Sequence, residues 1–293
     1  MITSPLPIVT RIKGAGRRFL VVGLEAVQSY TTWSFFMTLK AAVFLLHEAS
    51  LRFPTIEAKQ YTYFSGYAGF AGAALGIKTL AHQLQDSSSK LPSVETFTDG
   101  RGYYLNEEAL VSQIREDLAK AEKVLGRKPT ALVLGALGRC GKGAVDLFLK
   151  AGMPDENITR WDLNETKDRD GPYEETAKAD VFLNAIYLSK PIPPFINQEL
   201  LAKKGRNLAV VIDDPTVPVE IKDDQNNLPL SVISIDHLPS MLPREASEAF
   251  SEGLKESLLT LKDRKTSRVW ADAEKLFHEK VATLPEELRT KSV

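Results

Sequence analysis

The sequence predicts an α/β fold in which helices cover both faces of a parallel sheet. Its candidate strands are short and apolar throughout, and helical patterns alternate with them. Continuous apolar strands are typical of parallel sheets that are buried on both faces. A glycine-rich turn follows the first candidate strand, and an aspartate follows the second. Together these observations indicate a Rossmann-like, doubly wound sheet.

The first 63 residues contain no motif that we can assign. Four basic residues precede the first acidic one, so an organellar presequence is an alternative to an amphipathic or buried helix. Residues 30–46 are apolar but include Lys40, and we do not expect them to span a membrane.

Residues 64–76 repeat glycine and alanine at helical intervals. Small side chains let two backbones approach closely, although each interior glycine costs about 1 kcal/mol in helix propensity. We therefore predict a helix that packs tightly against another element. A helix that faces the nucleotide domain or the substrate is the alternative.

Residues 106–125 predict an amphipathic helix. Glu107 and Glu108 lie near the positive end of its dipole, and Gly126 and Pro129 end it. The polar residues 86–102 that precede it predict a surface loop. The apolar stripe of the helix consists of Leu110, Ile114, Leu118, Ala121 and Leu125.

The glycine-rich turn is the most informative feature of the chain. Residues 131–134 predict a strand, glycines occupy positions 135, 138 and 141, and residues 145–149 resume an apolar helical pattern. Glycine permits a tight turn and lets backbone N–H groups approach a pyrophosphate, which the N-terminus of a helix attracts. The spacing G-x-x-G-x-x-G is a variant of the usual fingerprint, so a plain strand-to-helix turn is the alternative.

An acidic residue stands where a nucleotide site needs one. Residues 157–161 predict the next strand, and Asp162 follows it. A carboxylate at this place accepts hydrogen bonds from a ribose and repels a 2′-phosphate, which favours NAD over NADP. Arg160, Lys167 and Arg169 lie nearby in sequence and leave NADP as the alternative.

The sequence after Asp162 continues the alternation of predicted strands with helices and turns. A loop is predicted at residues 164–173, a Pro-rich turn at 190–194, a short helix that closes at about 200–204, and a polar turn at 213–227. Further strands are predicted at residues 180–187, 208–212 and 230–235, and helices from residue 244 onward.

The composition argues against several classes of function. A chain of 293 residues with 43% hydrophobic and 26% charged residues predicts a globular protein of one or two domains. Its formal net charge of -1 suggests neither nucleic acid nor an anionic membrane as a partner. Cys140 is the single cysteine, so no intrachain disulfide can form and a metal cluster is not expected. Cytoplasm is the expected location.

Several collinear blocks resemble one enzyme family. They are residues 64–76, 135–141, 161–166, 186–192 and 231–247. These blocks are similar to the NAD-dependent, lysine-forming saccharopine dehydrogenases of fungi, whose wider relatives are alanine dehydrogenase and the nicotinamide nucleotide transhydrogenases. The resemblance, over residues 64–280, implies oxidation of saccharopine by NAD and water to lysine, 2-oxoglutarate and NADH. It also implies a typically monomeric protein with a small-molecule substrate.

The resemblance implies a set of site residues. Phe64 is the implied substrate contact. His237 is implied to line the cofactor, and a role as general acid or base is the alternative. Cys140 is expected to be a small packing residue, because the cysteine that some relatives pair with it is Ala185 here. The implied cofactor contacts are Gly138, Arg139, Asp162, Thr166, Tyr187, Ile235, Asp236, His237 and Leu238.

The resemblance does not extend to the family's N-terminal catalytic domain, which supplies a lysine and a histidine as acid and base. Lys40 and His47 are candidates of those types upstream, and neither lies in a family motif. Lys59 and Gln60 stand where the family has paired arginines. No catalytic residue is therefore assigned.

These observations predict three segments. Residues 1–63 are expected to be a remnant or replacement of the catalytic domain, and residues 64–240 an NAD-binding Rossmann-like domain. Residues 241–293 are expected to be helices that return to a truncated catalytic α/β domain. We expect a saccharopine dehydrogenase whose activity is impaired. The alternative is a non-catalytic NAD-binding remnant or an incomplete gene product.

Overall fold

The structure is a computed structural model that describes residues 62–86, 91–186, 192–212, 221, 224–226, 229–233, 235 and 237–283. These residues form two compact units, one ending at Glu256 and the other beginning at Ser257. The strands are β1 (Ala131–Leu134), β2 (Ile158–Trp161), β3 (Val181–Asn184), β4 (Val210–Ile212) and β5 (Ser231–Ile233). The helices are α1 (Thr62–Gln85), α2 (Glu107–Leu125), α3 (Arg139–Lys150), α4 (Leu163–Thr166), α5 (Glu174–Lys178), α6 (Gln198–Ala202), α7 (Pro243–Leu259) and α8 (Arg268–Val281).

The five strands form one parallel sheet in the order β2-β1-β3-β4-β5. β1 pairs with β2 on one side and with β3 on the other, so the strand order reverses at β1. Leu134 is in register with both Trp161 and Asn184, and the three strands therefore end at the same level. Ligands of such sheets bind outside the carboxyl ends of the strands at this reversal. The predicted Rossmann-like fold is confirmed.

Alternate residues of the strands point into two separate cores. Ala131 and Val133 of β1 pack with α1, α2 and α3 on one face. Leu132 and Leu134 pack on the other face, where Tyr173 and Leu201 belong to the same cluster. The sheet is thus covered on both sides, which explains why β1 is apolar at every position.

Helix α1 approaches the backbone of α3 closely. A Cβ atom on Gly69 would lie 1.7 Å from the carbonyl oxygen of Cys140, and one on Gly143 would lie 1.9 Å from that of Gly66. Only glycine fits at such distances, so the small residues of α1 do serve tight helix packing, as predicted. The partner of α1 is the helix that begins at the glycine-rich turn.

The elements differ from the predicted ones mainly at their ends. The predicted loop at 164–173 is wrong at its start, because the side chain of Asp162 caps the short helix α4. β3 is shorter than the predicted strand 180–187, although Ala185 N still donates to Leu134 O at 2.8 Å beyond it. An apolar pattern in the sequence indicates buried residues. Burial extends beyond the residues whose backbones form the hydrogen bonds of the sheet, so the predicted strand is longer than the observed one.

Part of the sequence interpretation concerns residues outside the described ranges. It includes Tyr187, Asp236, residues 1–61 with Lys40, His47, Lys59 and Gln60, and most of the predicted turn 213–227. In the described ranges, no helix has both the length and the apolar character needed to cross a bilayer.

Candidate dinucleotide-binding site

The turn between β1 and α3 lies at the carboxyl end of β1 and is packed against its surroundings. Gly135 has a φ of +83°, and a Cβ atom there would lie 3.0 Å from Ala185 O and 3.1 Å from Cγ1 of Ile186. A Cβ atom on Gly141 would lie 2.2 Å from Gly135 O. The first and third glycines of the motif are therefore required by the shape of the turn itself.

The N-terminus of α3 has backbone N–H groups that its N-cap residue does not satisfy. Gly138 is the N-cap residue and offers no side-chain acceptor to the first N–H groups of the helix. The adjacent Arg139 is half-buried, and its Nη1 atom is buried without a hydrogen-bond partner in the described part of the chain. An unpaired buried guanidinium N–H is costly, and a phosphate oxygen would satisfy it. These residues fit a pyrophosphate group.

Asp162 joins the glycine-rich turn to the end of β2. Its Oδ2 atom accepts a hydrogen bond from Leu137 N at 3.1 Å, and its Oδ1 atom accepts one from Leu163 N at 2.9 Å. Oε2 of Glu165 accepts one from Asp162 N at 2.7 Å, which completes a capping box. Thr166 Oγ1 donates to Asp162 O at 3.2 Å. Asp162 and Thr166, both predicted cofactor contacts, are thus adjacent.

Backbone bonds hold the same turn to the neighbouring strand. The carbonyl oxygen of Trp161 accepts hydrogen bonds from Gly135 N at 2.8 Å and from Ala136 N at 2.9 Å. The turn therefore has little freedom to move relative to Asp162.

Two of the three basic residues near Asp162 have other partners. The Arg160 guanidinium pairs with Asp155. Nη1 of Arg169 donates to Oε1 of Glu175 at 2.8 Å. Lys167 ends α4 and is exposed. A 2′-phosphate would therefore have to compete for either arginine.

The residues predicted around the nicotinamide follow β5. Ile235 and His237 are exposed, and Leu238 begins a 3₁₀ turn and packs partly on the core. The carbonyl oxygen of His237 accepts a hydrogen bond from Ser240 N at 2.9 Å. β5 lies three strands from β1, or about 14 Å at the usual strand spacing. These residues share the carboxyl edge with the glycine-rich turn but are not brought next to it.

Comparison with known proteins decides the family. No protein-family model matches the chain. It is 49% identical over 253 residues to the saccharopine dehydrogenase [NAD(+), L-lysine-forming] of Yarrowia lipolytica, covering 78% of this chain and 66% of that protein. It is 45% identical over 260 residues to the enzyme of the same name from Emericella nidulans, covering 80% and 68%. The chain belongs to the saccharopine dehydrogenase family. The predicted resemblance is confirmed.

This saccharopine dehydrogenase homologue spans about two thirds of the length of its curated relatives. Another relative, the Neurospora crassa enzyme of the same name, is 46% identical to this chain over 252 residues, and the match covers 65% of that enzyme. Of the predicted site residues, Tyr187 and Asp236 lie outside the described ranges. Phe64 belongs to α1, and its side chain is likewise not described.

Cys140 is a free, half-buried thiol in the first turn of α3. Burial raises the pKa of this thiol above its usual value, and the positive charge of Arg139 offsets the rise only in part. A thiol with a raised pKa is a poor nucleophile at neutral pH. This environment fits a packing residue better than a reactive one.

Sequence reasoning missed three residues around Asp162 of this homologue. Glu165 could have been found, because an aspartate followed three positions later by glutamate is a capping-box pattern. Leu137 and Leu163 are 67% and 68% exposed and flank Asp162 through their backbone N–H groups. No local pattern signals their convergence, because 25 positions separate Leu137 from Asp162.

Proposed function

We propose that this chain binds NAD along the carboxyl edge of its sheet, within residues 64–240. The pyrophosphate would lie at the N-terminus of α3, the adenosine ribose at Asp162 and the nicotinamide toward the segment after β5. The observation that carries the proposal is the buried Nη1 atom of Arg139, the first residue of this uncapped helix, which has no hydrogen-bond partner among the residues that the structure describes. Most buried side-chain polar atoms have a hydrogen-bond partner, and a phosphate oxygen would supply one to this atom.

Asp162 supports NAD rather than NADP as the dinucleotide. A carboxylate has about four lone-pair positions, and the backbone N–H groups of Leu137, Leu163 and, in the capping box, Glu165 occupy three of them. The remaining position is available for a ribose hydroxyl group. A 2′-phosphate in the same place would meet a negative charge at close range. The relatives are themselves named as NAD(+) enzymes.

The exposed leucines support the same orientation of the dinucleotide. Leu137 and Leu163 stand on either side of Asp162 with most of their surface open. Apolar side chains beside a ribose-binding carboxylate suit the flat face of an adenine. The opposite end of the dinucleotide would then extend toward β5.

The reaction that we propose is that of the relatives, the lysine-forming oxidation of saccharopine. The chemistry that NAD supplies when bound is acceptance of a hydride from the substrate carbon. We propose that turnover by this chain is impaired, because no lysine or histidine of a family motif is matched to supply the acid and base. General acid–base catalysis contributes about 10²–10⁴-fold to rate. A non-catalytic NAD-binding protein is the second candidate, for the same reason.

The first experiment is an NADH titration of the folded chain by fluorescence. We expect saturable binding that Arg139→Ala weakens by about tenfold, because a charge-assisted hydrogen bond to phosphate is lost. Arg101→Ala removes an arginine that pairs with the nearby Asp99, and it should leave the affinity unchanged. Absence of NADH binding by folded wild-type protein would overturn the proposal.

A second experiment separates the two candidates. Saccharopine, NAD and the folded chain are mixed, and formation of NADH is followed by absorbance. Slow but sustained turnover would support an impaired dehydrogenase, and Lys40 and His47 would be the first residues to substitute. NADH binding without any turnover would support the non-catalytic protein instead.

A further inference from the structure

Arg169, whose side chain is 42% exposed, makes several contacts next to the proposed ribose site. Its guanidinium lies 4.7 Å from the ring centres of both Trp161 and Tyr173. Its Nη1 atom donates to Oε1 of Glu175 at 2.8 Å, and its Nε atom donates to Glu165 O at 3.2 Å. Cation–π contacts of this kind orient a guanidinium as well as attract it. The arginine is therefore directed at two aromatic rings and one carboxylate.

The same contacts connect Arg169 to Asp162. Trp161 directly precedes Asp162, and Glu165 accepts the backbone N–H of Asp162. The guanidinium thus contacts Trp161 and Glu165, and both of these residues are bonded directly to Asp162. Sites that bind NADP place an arginine near this position to receive the 2′-phosphate. In this chain Arg169 is such an arginine, but it already forms an ion pair with the carboxylate of Glu175.

We propose that Glu175 is a specificity-determining residue, because it keeps Arg169 on the aromatic rings and away from a 2′-phosphate. The proposal rests on the NAD site proposed above. Discrimination against NADP would then have two sources. Asp162 would repel the additional phosphate. Glu175 would keep the Arg169 guanidinium from pairing with that phosphate and so from compensating for the repulsion.

The ionisation of Glu175 agrees with this role. Partial burial would raise its pKa, but hydrogen bonds from its own backbone N–H and from Arg169, together with the positive charges of Arg169 and Lys178, outweigh burial, and the pKa is lowered. The carboxylate is therefore charged throughout the neutral pH range. The bond to Arg169 is charge-assisted, which makes it stronger than a neutral hydrogen bond.

The test compares affinities for NADH and NADPH by fluorescence titration in four proteins. They are the wild type, Glu175→Ala, the double variant Glu175→Ala with Arg169→Ala, and Glu174→Ala. Glu174 is the matched control, because it is the adjacent carboxylate in the first turn of α5 and lies near Lys203 rather than Arg169. Circular dichroism verifies that each variant is folded.

We expect Glu175→Ala to improve the affinity for NADPH relative to NADH by about fivefold or more, since the released arginine can pair with the 2′-phosphate. Glu174→Ala should leave the ratio at its wild-type value, and the double variant should lose the gain. An unchanged ratio in folded Glu175→Ala that still binds NADH would overturn the role of Glu175. Failure of every protein to bind NADH would instead overturn the proposed NAD site.

Discussion

Asp162 shows how much a single side chain contributes at this site. The sequence pattern predicts its carboxylate as a ribose acceptor. The structure adds that the two oxygens receive N–H groups from Leu137 in the glycine-rich turn and from Leu163 at the start of α4. One residue thus caps α4 and positions the glycine-rich turn. Its substitution should therefore affect both stability and the proposed binding of NADH.

The first prediction concerns Asp162→Ala. Loss of the N-cap should reduce the free energy of unfolding by about 1 kcal/mol. Loss of the ribose acceptor should weaken NADH binding by about tenfold or more. Asp162→Asn retains one acceptor oxygen and should lose less stability. Denaturant unfolding and NADH titration measure the two effects, and an unchanged NADH affinity in Asp162→Ala would refute the ribose role.

The second prediction, also at the residue scale, concerns Cys140. Because burial raises the pKa of its thiol, the thiolate fraction at pH 8 is lower than that of a free cysteine. We expect alkylation by iodoacetamide to be slower than for a model thiol, and its rate to keep rising with pH beyond the usual thiol pKa. The chain has one cysteine, so mass spectrometry reports this site alone. Alkylation as fast as that of the model thiol would contradict the prediction.

At the scale of elements, α1 and α3 lie so close together that there is no room for a Cβ atom on the glycines between them. Gly69 faces the backbone of Cys140, in the first turn of the helix whose N-terminus would hold the pyrophosphate. Carbonyl oxygens cannot move aside as a flexible side chain can. The position of α3, and with it the proposed anion site, therefore depends on the absence of a side chain on α1.

The third prediction follows from this contact. In Gly69→Ala the new Cβ atom would meet Cys140 O at 1.7 Å, so the two helices must separate. Overpacking of this kind costs about 1–3 kcal/mol or more. Gly66→Ala is the matched control in the same helix, because its nearest contact is Arg139 O at 4.0 Å. We expect thermal unfolding to show a large loss for Gly69→Ala and no loss for Gly66→Ala. Equal stability of the two variants would contradict the tight contact.

At the scale of the whole molecule, binding and stability are linked. A ligand that binds the folded chain but not the unfolded chain raises the free energy of unfolding according to its concentration. The proposed site joins β1, β2 and α3, which belong to one compact unit. Occupation of the site should therefore stabilise that unit cooperatively.

The fourth prediction is a thermal shift. NADH at about 100 times its dissociation constant should stabilise the unit by about 2.7 kcal/mol, which corresponds to a melting point higher by about 5–10 °C. NADPH at the same concentration should give a smaller shift, and Asp162→Ala should lose most of the NADH shift. Differential scanning calorimetry makes the comparison. Equal shifts with NADH and NADPH would contradict the proposed selectivity.

The sequence by itself determined the features that depend on neighbours along the chain. Apolar periodicity located β1, α2 and α3, because burial of a strand or of a helix face imposes that periodicity directly. The glycine spacing and Asp162 located the turn and its acidic residue, because a tight turn and a helix cap are formed by a few consecutive residues. The family could also be predicted from the sequence, because the blocks that resemble it are short runs of consecutive residues.

Only the tertiary structure decided which distant groups meet. Leu137 N–H donates to Asp162, and Gly69 faces the backbone of α3. Among the described residues, the buried Nη1 atom of Arg139 has no hydrogen-bond partner. These relations depend on how the turn, the strand and the helix pack in three dimensions. A linear pattern records the burial and backbone preferences of each residue, but not which partner the packing brings to it.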